Sequence, residues 1–508
     1  MNALPFLPVV VPLLIGIIIL LIQSFGLKQQ RLVSFVGAAI LVWISFEALM
    51  VSLQGDPQIF ILGNWAAPYG IVLVLDQLSA MMVFITSLLA ISAIWYAMAT
   101  QVDRKGAHFH TLFHIQLFGL NGAFLTGDVF NLFVFFEVLL LASYGLMLHG
   151  GGRLRTKAGL HYVVINLIGS TLFLFAVGAL YGILGTLNIA DMAVKIAELP
   201  AEDYGIVSAA GLLLLLVFGI KAAMFPLYLW LPQAYANAPA PVAALFAIMT
   251  KVGLYAIIRV HGTLFGSTAG DLAYFYMPWL LGLGLITLFF AALGVLAAKG
   301  LREQVAYLVL TSVATLLIGI GINTQAALSA SLYYLIHSTL IAGGFFLLAD
   351  MIARARGVYD DRFESSKPMD KGILLGSSFI FAAIAMTGLP PLSGFFGKLL
   401  ILEAALANNG FFVILAIVLI SGLFMIIAVA KSGSQLFYQT QLHQKPKGET
   451  FNKSAFLAVV LLLSVSPILV TWANPISHFT ESTALQLLNK DQYIDSVLNA
   501  LPTARVNP

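Results

Sequence analysis

Fourteen apolar segments, each long enough to cross a bilayer, constrain this chain more than any other feature. A spanning helix needs about 20 apolar residues, and in lipid the backbone must satisfy its own hydrogen bonds, which favours helices. The segments are 3–23, 31–52, 72–98, 108–126, 128–148, 158–185, 206–236, 241–262, 275–297, 302–321, 328–352, 372–408, 410–432 and 454–472. Only 9% of the 508 residues are charged, whereas soluble domains carry about 25%. The sequence therefore predicts an all-α polytopic membrane protein with about 14 transmembrane helices.

The basic residues are distributed asymmetrically between the loops. If the N-terminus lies outside and the spans alternate, eighteen of the 25 Lys and Arg residues fall in inner loops, four in outer regions and three inside the membrane. Inner loops of membrane proteins are enriched in Lys and Arg. We therefore predict a multi-pass protein of the cell's inner (plasma) membrane with both termini on the outer side. The apolar spacing in 484–501 indicates a helix that lies on the outer surface or against a partner, and 188–197 indicates another short amphipathic helix.

Two spans are unusually long and are interrupted by proline. The seventh contains Pro226 and Pro232, and the twelfth contains Pro390 and Pro391. Proline removes a backbone donor, and the freed carbonyls need protein or a water-filled cavity around them. Because the breaks lie five helices apart, we predict two inverted five-helix repeats, each with one broken helix. The predicted units are 1–107 (helices 1–3), 108–264 (first repeat, helices 4–8), 275–438 (inverted second repeat, helices 9–13) and 453–508 (helix 14 and the outer tail).

Five ionisable residues lie deep inside these apolar spans. They are Glu137, Lys221, Lys251, His337 and Lys398, in the fifth, seventh, eighth, eleventh and twelfth segments. A charged group at the bilayer centre costs at least ~3 kcal/mol on insertion scales, so such residues usually face a partner or a water-filled path. We predict that these five residues transfer protons.

Glu137 and Lys221 are the predicted ion pair of this set. A buried lysine near a carboxylate can bind and release a proton near neutral pH, because burial and the carboxylate act in opposite directions. His337 suits a relay because imidazole titrates near neutral pH. Lys398 lies toward the outer half of its helix, where snorkelling or a local pair with Glu403 are alternatives. Acidic residues near helix ends are expected to be solvated: Glu47, Asp76, Glu303 and Asp350.

Several kinds of chemistry have no basis in this sequence. There is no cysteine, which excludes disulfides, thiolate metal sites and cysteine catalysis. There is no Gly-rich phosphate loop, no HExxH and no paired zinc ligands, and the nine histidines are scattered. We therefore predict no catalytic residues, no metal site, no cofactor and no nucleic-acid partner, and the sequence indicates a transporter subunit rather than an enzyme.

One continuous stretch carries a family resemblance. Residues 221–255 read KAAMFPLYLWLPQAYANAPAPVAALFAIMTKVGLY, and LREQVAY (301–307) and GLPPLSGFFGK (388–398) agree with the same pattern. The chain resembles the antiporter-like family shared by respiratory complex I membrane subunits and Mrp-type multisubunit Na+/H+ antiporters. LIHSTLIAGGFFLLAD (335–350) is similar to the D subunits of the Mrp type.

The resemblance implies the fourteen-helix inverted-repeat fold and roles for the buried ionisable residues. Glu137 and Lys221 would be the gating pair, and Lys251, His337 and Lys398 the onward relay. Three departures are present: Tyr228 stands where family members often have histidine, Gln233 where they have an acidic residue, and Ile341 where many have a lysine four positions after the helix-11 histidine.

The expected function is proton translocation within a multisubunit Na+/H+ antiporter, with K+ and Li+ as alternative cations. The expected partners are other membrane subunits and the lipid bilayer. A Na+ site needs several oxygen ligands, and this chain has one clear mid-membrane carboxylate, so we expect the Na+ route to lie at least partly in companion subunits. Two alternatives remain open at this point: a proton-pumping subunit of a complex I or membrane hydrogenase, and a passive scaffold.

Overall fold

Helices make up most of the computed structural model, which describes residues 3–439 and 448–501. The elements of the first half, in chain order, are α1 (Leu7–Leu21), α2 (Leu27–Ser52), β1 (Gln58–Ile61), β2 (Val72–Leu75), α3 (Gln77–Ala99), α4 (Phe109–Leu125), α5 (Val129–Met147), α6 (Arg153–Leu184), α7 (Ile189–Ala197), α8 (Tyr204–Ala222), α9 (Trp230–Asn237), α10 (Ala240–Ala256) and α11 (Gly262–Leu264). A π-helical turn, Ile257–His261, joins the last two helices. The two strands form an antiparallel hairpin in which Gln58 pairs with Leu75.

The second half contains helices alone among the described residues. They are α12 (Met277–Ala297), α13 (Leu301–Ile322), α14 (Gln325–Arg356), α15 (Gly372–Thr387), α16 (Ser393–Ala404), α17 (Phe411–Gly433), α18 (Lys453–Leu463), α19 (Val465–Thr471), α20 (Ala473–Leu488) and α21 (Lys490–Leu498). The predicted amphipathic helix at 188–197 is present as α7, which begins after Asn188, whose side chain caps the first turn.

The described residues contain twelve helices that are long and apolar enough to cross a membrane. The two other predicted segments have shorter elements: α4 has 17 residues, and 372–408 is divided into α15 and α16. The structure is therefore a mostly helical, polytopic membrane protein with twelve full-length candidate spans.

Helices α10, α13 and α14 occupy the centre of the bundle. In the most apolar stretch of each helix, all residues are buried in α10 and 94% in α13 and α14. In α1 and α17 only 28% of these residues are buried. α14 packs against α10, α13 and α16 and so connects the two halves. Ionisable residues on these central helices are therefore shielded from lipid by the surrounding helices.

The C-terminal helices fold back onto the chain's own surface. The amide of Gln486 donates to the Gly55 carbonyl at 2.9 Å, and α21 packs against α7 and β1. Tyr493 and Val497 are buried in this contact. The apolar face predicted in 484–501 is thus covered largely by the same chain, rather than by lipid or a partner alone. The end of the predicted outer tail, 502–508, lies outside the described residues.

The expectation that acidic residues near helix ends are solvated is wrong for two of them. Asp76 is 2% exposed; it caps α3 and forms a salt bridge with Arg259 at 2.5 Å. Asp350 is buried between Tyr96 and two arginines, Arg302 and Arg354. Both carboxylates leave water because each gains a cation and further hydrogen bonds, which offset much of the desolvation cost.

Candidate functional site

The first helix break lies between α8 and α9. Ala223 has a left-handed backbone with φ 58°, and the chain is irregular until Trp230. Pro226 lies inside this break, whereas Pro232 lies in the first turn of α9, where proline is tolerated. The Trp230 indole donates to the Ile220 carbonyl at 3.2 Å, and Thr287 of α12 accepts from the Phe225 amide at 2.9 Å. Side chains therefore replace hydrogen bonds that the break removes.

Lys221 lies in the last turn of α8, beside this break. Its ammonium donates to Asn166 Oδ1 of α6 at 3.3 Å, and the residue is 8% exposed. Gly253 of α10 allows a close helix contact here: a Cβ at that position would lie 2.6 Å from the Ala222 nitrogen. The close packing of α8 on α10 fixes the end of α8 that carries Lys221 beside the helix that carries Lys251.

Glu137 of α5 reaches Lys221 through α6 rather than directly. The Ser170 hydroxyl lies within hydrogen-bond distance of the Glu137 carboxylate and, at 3.0 Å, of the Asn166 carbonyl, so its single hydrogen is shared between these two acceptors. Among the described residues, no ion pair within 4.0 Å joins Glu137 and Lys221, although the two charges are close enough to interact electrostatically. The predicted pair is therefore bridged by one turn of α6, in which Asn166 contacts the lysine and Ser170 contacts the glutamate.

Glu137 is partly exposed on a lateral face of the bundle. Phe130, Val134 and Leu141, which precede and follow it at helical spacing on α5, are 47%, 39% and 65% exposed. Lipid cannot hydrate a carboxylate. The exposed face of α5 therefore carries the Glu137 carboxylate among apolar side chains that would otherwise face lipid.

Lys251 is completely buried at the centre of the bundle. Its ammonium donates to Ser312 Oγ of α13 at 3.2 Å. No carboxylate lies within ion-pair distance of it in the part of the chain that the structure describes. One α-helical turn further along α13, Thr315 contacts the Tyr334 hydroxyl of α14, and the Tyr334 ring lies 5.8 Å from that of His337. Hydroxyl-bearing side chains thus line the interval between Lys251 and His337.

The second helix break lies between α15 and α16 and contains Pro390 and Pro391. Gly388 has φ +80°, a conformation that favours glycine. The Lys398 ammonium donates to the Thr387 carbonyl at 2.7 Å, and His337 Nε2 donates to the Ala385 carbonyl at 3.1 Å. In a continuous helix the Ala385 carbonyl would accept from the amide of residue 389, whereas Pro391 has no amide hydrogen for the Thr387 carbonyl. The histidine and the lysine therefore satisfy acceptors that the break leaves free.

The side chain of Lys398 turns back toward the break instead of snorkelling to the surface. Glu403, the alternative local partner, is exposed and forms no ion pair with Lys398 in the described residues. The free carbonyl explains this direction, because an ammonium near an unpaired backbone acceptor gains a hydrogen bond without leaving the bundle.

The two ring nitrogens of His337 have different partners. Because a carbonyl only accepts, Nε2 carries hydrogen, and Nδ1 lies 2.6 Å from Ser393 Oγ. Ser393 Oγ lies 2.8 Å from Ser466 Oγ of α19. The histidine is therefore at one end of a chain of hydroxyl groups that crosses from α14 through α16 to α19.

The structure brings the five predicted residues together at three positions. Glu137 and Lys221 each contact α6. His337 and Lys398 each bond to a carbonyl at the second break. Lys251 lies in the centre and bonds to Ser312. The sequence reasoning missed the neutral residues that connect them: Asn166, Ser170, Ser312 and Ser393. Asn166 and Ser170 stand four residues apart in a mainly apolar span, a spacing that places them on one helix face and could have identified them. The described residues contain no cluster of three His, Asp or Glu side chains that could hold a metal ion.

Comparisons with known proteins agree with this architecture. Residues 126–425 match the model of the family described as NADH:quinone oxidoreductase/Mrp antiporter, transmembrane. The chain is 38% identical to the D subunit of a probable K+/H+ antiporter from Rhizobium meliloti, with 98% of each chain covered. It is 36% identical to the D subunit of the Na+/H+ antiporter from Alkalihalophilus pseudofirmus, over 98% of this chain and 100% of the relative.

Two solved structures share the fold. A chain of the Mrp complex from Dietzia sp. DQ12-45-1b has a TM-score of 0.83 at 24% identity, covering 98% of this chain and 100% of that chain. A chain of an archaeal membrane-bound sulfane sulfur reductase has a TM-score of 0.88 at 22% identity, with the same coverage. The fold, the family match and the full-length similarity to D subunits lead to one conclusion: this chain belongs to the NADH:quinone oxidoreductase/Mrp antiporter family and, within it, to the D subunits of multisubunit cation/proton antiporters.

Proposed function

We propose that this chain is the proton-translocating subunit of a multisubunit monovalent cation/H+ antiporter. The observation that supports the proposal most strongly is the position of the buried ionisable groups, which occur at both helix breaks and on the central helix between them. Na+ is the proposed cation, because the relatives from Alkalihalophilus pseudofirmus and Bacillus subtilis are named Na+/H+ antiporter subunits; K+ is named for the relative from Rhizobium meliloti.

The proposed proton path begins at Glu137 and ends at Lys398. Ser170 and Asn166 would connect Glu137 with Lys221, and the contact of α8 with α10 would carry the path toward Lys251. Ser312 and the hydroxyl groups of α13 and α14 would lead to His337. Water molecules would complete the intervals between hydrogen-bonded groups, as buried waters do where several polar partners converge.

The proposed arrangement comprises fourteen spans, with α4 and the α15–α16 pair as the two that are shorter than the rest. Residues 108–264 and 275–438 would be inverted repeats, flanked by 1–107 and 453–508. Each unit supports this by containing one broken helix, the fourth of its five, with a lysine beside the break: Lys221 at the first break and Lys398 at the second. We also propose that both termini lie on the outer side of the plasma membrane, because the basic loops are at the opposite end.

Companion subunits complete the proposed machine. The partial exposure of Glu137 on a lateral face supports an interface there, because a neighbouring subunit could supply the polar contacts that lipid lacks. The described residues also contain no carboxylate cluster suited to Na+. The cation route is therefore proposed to lie at least partly in those companions.

The test is Na+-dependent ΔpH formation in everted vesicles that contain the whole complex. Glu137→Ala and Lys221→Ala are expected to lower antiport at least tenfold while the complex still assembles, and Glu137→Asp to retain part of the activity. Lys195→Ala in α7 and Glu202→Ala in the connection between α7 and α8 serve as matched controls and should retain wild-type activity. If both alanine variants assemble and keep full activity, the proton-translocation proposal is wrong and the chain is a passive scaffold.

The redox-driven alternative has weaker support. The related respiratory structures are at most 24% identical to this chain, whereas antiporter D subunits are 36–38% identical over nearly its whole length. Purification of the native complex distinguishes the two, because a redox-driven pump would copurify with electron-carrying subunits and an antiporter with membrane subunits alone.

A further inference from the structure

A long groove opens on the lateral surface between α15 and α17, and its deep end reaches the second helix break. Its volume is about 1200 Å³, and its walls are mainly apolar; Phe379, Ile380, Ile426 and Phe437 are among the lining residues. The groove extends from Lys371, just before α15, to Thr387, the last residue of that helix. Sixteen helical residues at 1.5 Å each make this about 24 Å, close to the ~20 Å of one bilayer leaflet with its headgroups.

The two ends of the groove differ in polarity. Lys371 is the one charged residue among its described lining residues, and it lies with Tyr438 at the end that would meet the membrane surface. The N-terminus of α15 is at the same end and has no side-chain cap, so amide groups of its first turn point there without a protein acceptor from the capping residue. The adjacent carboxylate of Asp370 accepts from the Phe451 amide and is not part of the lining. An ammonium and the positive end of a helix therefore meet at the mouth of an apolar groove.

We propose that this groove is a binding site for one anionic phospholipid of the adjacent leaflet. The phosphate would lie against Lys371 and the first turn of α15, and the acyl chains would fill the space between α15 and α17. A transmembrane helix of another protein fits the groove less well. Its apolar surface could fill the groove, but it would have no need of a single lysine at one end. The inference depends on the membrane position of the chain and not on the proposed ion transport.

A lipid in the groove would contact the second helix break, because the deep end of the groove reaches it. Thr387 and Leu389 line that end, and the Thr387 carbonyl is the group that holds the Lys398 ammonium at 2.7 Å. Acyl chains at this position would separate the break from the open bilayer and from water. Occupancy of the groove would therefore stabilise the segment that positions Lys398.

The test measures which lipid occupies the groove in the intact, reconstituted complex. The chain has no native cysteine, so Ile380→Cys supplies a single thiol in it for a bimane fluorophore. Val36→Cys on α2 is the control, because Val36 is 45% exposed and lies at a comparable number of residues from its helix end. Complexes with the cysteine-free chain correct for labelling of companions. Brominated phosphatidylglycerol and brominated phosphatidylcholine are compared as quenchers at equal mole fraction.

The proposal predicts that phosphatidylglycerol quenches at Ile380→Cys at least threefold more than phosphatidylcholine, with a ratio near one at Val36→Cys. Adding Lys371→Glu should bring the ratio at Ile380→Cys to about one, whereas Lys157→Glu, at the same end of the bundle, should not. A ratio near one at both sites in the otherwise unchanged chain would mean ordinary bulk lipid and would overturn the proposal. Quenching at Val36→Cys but by neither lipid at Ile380→Cys would also overturn it, in favour of a companion subunit. The readout needs no transport, so its failure is separable from failure of the antiport proposal.

Discussion

At the scale of single residues, the three lysines of the proposed path share one property: each donates to a neutral oxygen. The acceptors are the side-chain amide of Asn166, the hydroxyl of Ser312 and the carbonyl of Thr387. A neutral acceptor stabilises an ammonium less than a carboxylate does, so it holds the lysine in place without fixing its proton. This arrangement suits groups that must gain and lose a proton in each cycle better than three tight ion pairs would.

Asn166 tests this interpretation. Asn166→Leu removes the acceptor of Lys221, and Asn166→Asp replaces it with a carboxylate that would retain the lysine proton. Both changes are expected to lower Na+-dependent ΔpH formation about tenfold, for opposite electrostatic reasons. Thr171→Val on the exposed face of the same helix removes a hydroxyl that bonds only to Leu167 and should be neutral. Wild-type activity in Asn166→Asp would show that Lys221 does not need a weak acceptor.

At the scale of helices, the two breaks are stabilised by different groups. Side chains of Trp230 and Thr287 satisfy the first, whereas His337 and Lys398 themselves satisfy the second. The second break therefore depends on residues of the proposed path, so its structure would be coupled to the proposed proton transfer. The first break is stabilised by Trp230 and Thr287, which are not residues of the proposed path. Substitutions there can therefore change stability without removing a proposed proton-carrying group.

Thr287→Val at the first break is expected to lower stability. The change leaves the Phe225 amide without its acceptor, and an unsatisfied buried donor costs about 1–3 kcal/mol. The measurement is the thermal unfolding midpoint of the purified complex. Ser208→Ala is a suitable comparison, because that hydroxyl is exposed and bonds only to Gly205. An unchanged midpoint in Thr287→Val would mean that another group or a water molecule replaces the acceptor.

The C-terminal helix is expected to dock more tightly at alkaline pH. Burial lowers the pKa of Lys490 from 10.5 to about 8, with Asp491 acting weakly in the opposite direction, and the ammonium lies over the Tyr274 ring without a hydrogen-bond acceptor in the described residues. The undocked lysine binds more protons between pH 8 and 10.5, so the stability of docking rises with pH in that window and gains up to about 3 kcal/mol.

Hydrogen exchange of residues 485–498 measures this effect. The protection of the unaltered chain relative to Lys490→Met should increase from pH 8 toward 10.5, because methionine has no charge to bury. Taking the ratio at each pH cancels the intrinsic pH dependence of exchange. Parallel pH profiles for the two proteins would mean that Lys490 has the same pKa in the docked and undocked helix, which contradicts the prediction.

How far the sequence predicts this structure depends on the kind of interaction. Apolar length predicts twelve full-length spans correctly, and proline predicts both breaks, because these signals are local; the fourteen-span count and the orientation stay predictions. The partners of Asp76 and Asp350 could not be predicted, since Arg259 and Arg302 meet them only through the packing of distant helices. The same reason applies to Glu137 and Lys221: both are identified from their place in apolar segments, but the α6 residues between them are a property of the tertiary fold.

At the scale of the whole molecule, the chain is built to work beside other subunits. Glu137 is partly exposed on a lateral face, whereas Lys251 and His337 lie deep inside. A path with its first group at the edge requires a neighbour at that edge. This subunit expressed alone is therefore expected to give no Na+-dependent ΔpH above background in everted vesicles, although the complete set of companion genes should restore it. Full activity of the isolated chain would place both the cation and the proton route within it.

The most direct test of the proton path is Lys251→Met in the complete complex. Methionine fills the space of the lysine and removes a buried charge that has no carboxylate partner, so the complex should assemble and be at least as stable. Proton flux driven by a Na+ gradient in proteoliposomes should nevertheless fall at least tenfold. If the assembled Lys251→Met complex carries protons at the wild-type rate, the central lysine is structural and the proposed path is wrong.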